Sequence, residues 1–142
     1  MKIDAAKDFR RPRAAVLQMY RSPERIESVL RDLGAQVERT AEPPRMAWQG
    51  ALTWHDEPRQ IAVTVQETVQ DETFAMTVTS DLALADLQMD FYDLPDGGCR
   101  VLATAEVTAK SMIAKLALQS LRLVRGMAEE RLARFVMVIG RP

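Results

Sequence analysis

One histidine and one cysteine, His55 and Cys99, are the obvious reactive side chains in this 142-residue chain, and they lie 44 positions apart. A Ser-His-acid or Cys-His arrangement would have to use His55 as its base. That residue stands in His55-Asp56-Glu57-Pro58, a turn sequence, where a solvated ring is the expected role. There is no CxxC, no HExxH and no clustered acidic loop, so no metal site is expected. Gly97-Gly98 joins one strand pattern to another and lacks the helix terminus that would hold a phosphate. No catalytic residue and no cofactor is assigned.

Glu67 is the more informative acid. It interrupts the apolar row Ile61, Val63, Val65, Val69. A carboxylate aimed into an enclosed apolar space is costly unless paired, and its pKa would shift. It either anchors a ligand or, as the better expectation, emerges into solvent or pairs with an arginine. Arg122, Arg125, Arg131 and Arg134 lie along the last helical segment. Arg125 flanks the apolar residues Val124 and Ala128, where it could meet an anionic group at a cavity mouth or pair with Glu129 four residues on. The second is expected.

These residues need elements to position them, and the largest is a helix. Between Ser111 and Ile139 there is no proline and one glycine, Gly126. Ile113, Leu116, Ala117, Leu121, Val124, Ala128, Leu132, Phe135, Val136 and Ile139 recur at helical spacing, predicting one continuous amphipathic helix roughly 40 Å long. Its apolar stripe needs a broad surface on which to be buried.

The middle of the chain supplies that surface. Residues 35–41, 45–55, 59–70, 73–81, 84–94 and 99–109 read as strands. Their inward rows include Trp48 and Leu52; Val63 and Val65; Met76; Met89; and Val101 and Ala103. Alternation with period two means one buried face and one wet face, as in an antiparallel meander. A further strand is expected over residues 2–10, followed by two short helices. Pro12 suits the first turn of one; Ser22-Pro23-Glu24 caps and starts the other, and Gly34 stops it. The expected fold class is therefore α+β: a seven-stranded antiparallel sheet wrapped around a long C-terminal helix, with two short helices after strand 1.

This order resembles the helix-grip fold of the START/polyketide cyclase/Bet v 1-like (SRPBCC) superfamily over the whole chain. The likeness is strongest in Gly34-Ala35-Gln36-Val37-Glu38-Arg39-Thr40 and in Ala114-Lys115-Leu116-Ala117-Leu118-Gln119-Ser120-Leu121-Arg122-Leu123, which look like small proteobacterial members. The resemblance implies a hydrophobic cavity between sheet and helix, used in relatives for lipids, hormones or polyketides. It carries no catalytic motif.

Composition bounds the rest. The length suits one domain, residues 1–142. Nineteen basic against twenty acidic residues leave a net charge of −1, no field for nucleic acid. Met1-Lys2-Ile3-Asp4 is not a signal-peptide start, and Phe135 to Ile139 is too short to span a bilayer, so no integral membrane association and a cytoplasmic location are expected. Eight methionines, among them Met46, Met76, Met89, Met112 and Met127, suit either ordinary core filling or a permissive apolar cavity.

The expected function is binding of a small hydrophobic or amphipathic ligand by Trp48, Leu52, Val63, Val65, Glu67, Met76, Met89, Val101, Ala103, Leu121, Val124 and Arg125. One alternative is a cyclase or aromatase in which Glu67, Ser80 and Tyr92 orient a substrate. Another is a protein–protein module using a sheet edge or the long helix, and a homodimer is allowed.

Overall fold

A computed structural model describes residues 1–142. The chain runs β1 (Lys2–Phe9), α1 (Arg13–Tyr20), α2 (Pro23–Asp32), β2 (Ala35–Ala41), β3 (Arg45–Trp54), β4 (Glu57–Val69), β5 (Thr73–Thr79), β6 (Ala83–Asp93), β7 (Cys99–Ala109), α3 (Met112–Leu123) and α4 (Arg125–Gly140). The seven strands form one antiparallel sheet in the order β1-β7-β6-β5-β4-β3-β2. From β2 to β7 each strand pairs with the next in sequence, and β1 returns to pair with β7 from Lys2↔Glu106 to Phe9↔Cys99. This is the expected α+β helix-grip arrangement.

Local chemistry accounts for the boundaries. Ser22 caps α2 by accepting from the Arg25 amide at 3.2 Å, with Pro23 in the first turn and Glu24 at the positive end of the helix. Gly34 follows α2 at φ +95°, a conformation that favours glycine. The β3–β4 hairpin turns through His55 and Asp56, both left-handed, as a two-residue turn of the type matching strand twist requires. Pro58 is not part of the turn; it lies in β4 opposite Thr53. At Gly50 a side chain would collide with the β2 backbone, because a Cβ there would sit 1.9 Å from the Gln36 carbonyl oxygen. Glycine lets β2 coil tightly over β3 at this point.

The inward strand rows are those expected. Met46 and Trp48, Val63 and Val65, Phe74 and Met76, Met89 and Phe91, and Val101 and Ala103 are all buried. They pack with Val16, Leu17 and Tyr20 of α1, Ile26, Val29 and Leu30 of α2, and Leu132, Val136 and Ile139 of α4 in one core.

The single long helix is corrected in two respects. It breaks at Val124, whose φ of −124° and ψ of 41° are not helical, and α3 and α4 meet there as an elbow. β-Branched Val124 and nearby Gly126 are weak helix formers at the junction. The apolar stripe is also buried over only one segment. Leu132, Val136 and Ile139 are enclosed, whereas in α3 only Ala114 is buried. Met112 is 70% exposed, Leu116 57% and Leu123 87%. Ile113 and Met127 are exposed with them. No helix is long and apolar enough to cross a membrane.

The two segments should therefore respond differently to truncation. Ile139→Ala is expected to cost about 2–5 kcal/mol and Leu123→Ala less than about 0.5 kcal/mol, read from urea unfolding midpoints. Equal losses would show that α3 is packed as tightly as α4.

Candidate functional site: a half-filled sheet face

The inward face of the sheet has two halves, and both are apolar. One half is solid. Tyr20 stands at its centre, with Phe91 edge-on at 5.0 Å between ring centroids and Phe74 at 5.7 Å, spacings typical of attractive aromatic pairs. The Tyr20 hydroxyl donates to the Val136 carbonyl at 2.9 Å, tying α1 to α4 and satisfying a buried polar group. Burial raises the Tyr20 pKa above the usual phenol value. Cys99 lies in the same half, fully buried. Desolvation pushes its thiol up, away from the thiolate a nucleophile needs.

Two ion-pair systems hold the α2 side and the far end of this half. Glu27 of α2 is a buried acid that the sequence did not single out. It accepts from Arg39 Nε at 2.5 Å and from the Trp48 indole N–H at 3.0 Å, with Arg31 3.8 Å away. The hydrogen bond from Arg39 is the main reason its carboxyl is held below the ordinary glutamate range; burial opposes it and Trp48 assists. Glu67 is likewise claimed by the fold. Arg21, which follows α1, grips it through two hydrogen bonds of 2.8 and 2.7 Å, and the Asp71 amide donates to it at 2.6 Å. The Arg21 hydrogen bond lowers its pKa against the opposing effect of burial. This is the arginine pairing expected for it, and it leaves no carboxylate aimed at a ligand.

The other half is hollow. Between the sheet and the α3–α4 elbow lies a cavity of about 480 Å³, open at one side, lined by 17 residues of which 16 are hydrophobic. Leu52, Ile61, Val63, Met76, Val78 and Leu87 form its floor on β3 to β6. Leu121, Val124, Met127 and Ala128 form its elbow wall, and Leu132 and Phe135 of α4 close its inner end. Leu33 and Ala35 border it at the α2–β2 junction, and Ile3 at β1. The one charged lining residue is Arg131.

The expected site residues divide between these regions. Leu52, Val63, Met76, Leu121 and Val124 line the cavity. Trp48, Val65, Met89, Val101 and Ala103 are buried in the solid half and do not line it, because α1, α2 and α4 already cover them. Glu67 is held by Arg21, and Arg125 pairs with Glu129 at 3.1 Å while donating to the Lys2 carbonyl at 2.6 Å. Neither lines the cavity. The trio Glu67, Ser80 and Tyr92 is dispersed. Ser80 accepts from the Leu82 and Ala83 amides in the β5–β6 turn, and Tyr92 is half exposed outside the cavity. His55 lies against Trp54, with ring centroids 3.9 Å apart and the planes tilted by 44°, also away from the cavity. Ile61, Val78 and Leu87 were within reach of sequence, since they continue inward rows already traced. Arg131 was named on its helix, but helical spacing alone did not place it at an apolar wall.

The depressed carboxyl pKa values set a pH dependence. A group whose pKa is lower in the folded than in the unfolded state stabilises fully above its unfolded value and loses that contribution as pH falls through the folded one. Glu27→Gln should therefore be less stable than the parent at pH 7, and the gap should narrow on acidification from about pH 5 to about pH 3. Urea unfolding across that range measures it; a gap independent of pH would place the effect in packing rather than in the Arg39 pair.

No protein-family model matches the chain, and no curated protein does. Solved structures do match it. The Zhui aromatase/cyclase from Streptomyces sp. R1128 aligns with a TM-score of 0.71 at 9% identity, covering 99% of this chain and 92% of that one. Norcoclaurine synthase from Thalictrum flavum aligns with a TM-score of 0.69 at 8% identity, covering 99% and 84%. A protein from Thermus thermophilus aligns with a TM-score of 0.72 at 15% identity, covering 99% and 94%. With the seven-stranded order and the helix laid across one sheet face, these alignments show that the chain has the helix-grip fold of the START/polyketide cyclase/Bet v 1-like superfamily.

Proposed function

We propose that the chain binds a small hydrophobic or amphipathic molecule in the cavity between the sheet and α4. The observation that carries this is the cavity itself: about 480 Å³ with an almost wholly apolar wall, within the size range of small-molecule sites. Water inside such a wall finds few polar partners, so an apolar ligand displaces it favourably. The fold similarity to an aromatase/cyclase and to norcoclaurine synthase adds a precedent for organic ligands on this fold. It does not carry chemistry over. The cavity lining has no acid, histidine, lysine or hydroxyl to move a proton, so it supports binding over catalysis. A cytoplasmic location, in keeping with one unpaired buried cysteine, completes the proposal.

The test uses N-phenyl-1-naphthylamine, a neutral apolar dye, with fluorescence and thermal shift as readouts. Binding should stabilise the protein by about 2.7 kcal/mol at a hundredfold excess over the dissociation constant. Ala128→Phe, which fills the cavity from its α4 wall, should weaken dye binding by about tenfold or more with the fold retained. Ala103→Leu is the contrast, because Ala103 lies in the solid half. It should cost about 1–3 kcal/mol by overpacking and leave the dye site intact. Undiminished binding by Ala128→Phe would remove the cavity as the site.

A further inference from the structure

We infer that the ligand is an alkyl or aryl anion, with its apolar body in the cavity and its acid head held by Arg131 at the rim. The inference rests on the binding proposal and adds the polarity and charge of the ligand. Three observations carry it.

The first is contrast. Arg131 is the single charged residue among seventeen that line an otherwise hydrophobic wall. In apolar sites a few placed polar groups fix ligand orientation. A guanidinium offers a planar fork of donors suited to carboxylate or phosphate oxygens.

The second is that its charge is uncompensated. Seven of the fifteen arginines, Arg13, Arg21, Arg31, Arg39, Arg59, Arg100 and Arg125, hold carboxylates within 4.0 Å. Arg131 makes no such pair and donates to no protein acceptor, although α4 carries two acids close by in sequence. One of them, Glu129, is taken by Arg125 at 3.1 Å. The other, Glu130, makes no ion pair.

The third is what lies beyond the rim. Met127 and Arg131 also border an adjoining open groove, which contains Lys7, Glu130 and Arg134. Lys7 and Arg134 are likewise unpaired. The groove thus sets three cations against one acid, just where the head of a molecule seated in the cavity would emerge. A neutral head can accept hydrogen bonds here but lacks the charge assistance an anion receives. An anion gains charge-assisted hydrogen bonds from these exposed donors while its body stays in the apolar cavity.

The alternative is that Arg131 lays its aliphatic stem along the wall and keeps a solvated head. The two differ in what a ligand's charge does. Decanoate, decyl phosphate and 1-decanol present the same chain with a singly charged, doubly charged or neutral head. Each is titrated against bound N-phenyl-1-naphthylamine. Both anions should bind at least about tenfold tighter than the alcohol, and Arg131→Gln should shrink that ratio to within about twofold, read relative to decanol on the same variant so that any common effect on the wall cancels. Arg131→Lys should restore part of the preference. A stronger preference for decyl phosphate assigns the head as phosphate, and for decanoate as carboxylate. Equal binding of the anions and decanol, or a preference that survives Arg131→Gln, overturns the inference and leaves the binding proposal standing. Failure of the dye and all three ligands to bind overturns both.

Discussion

A mismatch of lengths governs this structure. β4 has thirteen residues and, at about 3.3 Å each, spans roughly 40 Å. The buried helix α4 has sixteen and, at 1.5 Å each, spans about 24 Å. The buried rows of the seven strands together are broader than that helix alone can cover. α1 and α2 complete the cover over one half, where Tyr20, Phe74, Phe91 and Trp48 form a dense aromatic core. Over the other half the cover is the first part of α4 together with α3, and α3 is loosely packed, with one residue buried. The cavity is the space left between this part of the sheet and the α3–α4 elbow.

Electrostatics follows the same division. Around the solid half two little-exposed acids, Glu27 and Glu67, are both paired. Glu27 is shared by Arg39 and Trp48, and Glu67 by Arg21 and the Asp71 amide. These networks cross elements distant in sequence, fixing α2 against β2 and β3 and the segment after α1 against the end of β4. Breaking one would leave a buried charge without its partner, so they act as constraints on register and docking as well as sources of stability. At the hollow half the pattern reverses: Arg131 and its neighbours Lys7 and Arg134 lack partners. Acids have been placed where the fold needs fixing and are sparse where the cavity opens.

Much of the fold was legible in the sequence, because alternation is a local signal. It placed all six central strands and the inward rows of β3 to β7, and the Ser22-Pro23-Glu24 cap and Gly34 stop delimited α2. The site was only half legible. Val63 and Val65 are equivalent in any pattern of alternation, yet Val63 borders the cavity and Val65 does not. What separates them is which helix lies overhead, a long-range fact absent from either residue's neighbourhood. The elbow was missed for a related reason. The apolar period continues through Val124, and a period alone does not show whether both segments have something to pack against. Glu27 was missed because its partners Arg39 and Trp48 are 12 and 21 positions away and meet it only once β2 and β3 have paired.

The poor packing of α3 has a kinetic consequence. Elements with few buried contacts open locally at a free energy well below that of global unfolding. α3 carries Leu121, a wall residue of the cavity, and adjoins the elbow at Val124. Excursions of α3 can therefore widen the opening while the sheet and the aromatic core stay intact. Under the proposed binding function, exchange of a guest molecule would be governed by this one loosely held segment. Its rate can be tuned by substitutions in α3 with little effect on the stability of the whole chain, and a ligand that bridges elbow and sheet slows its own escape by holding α3 down.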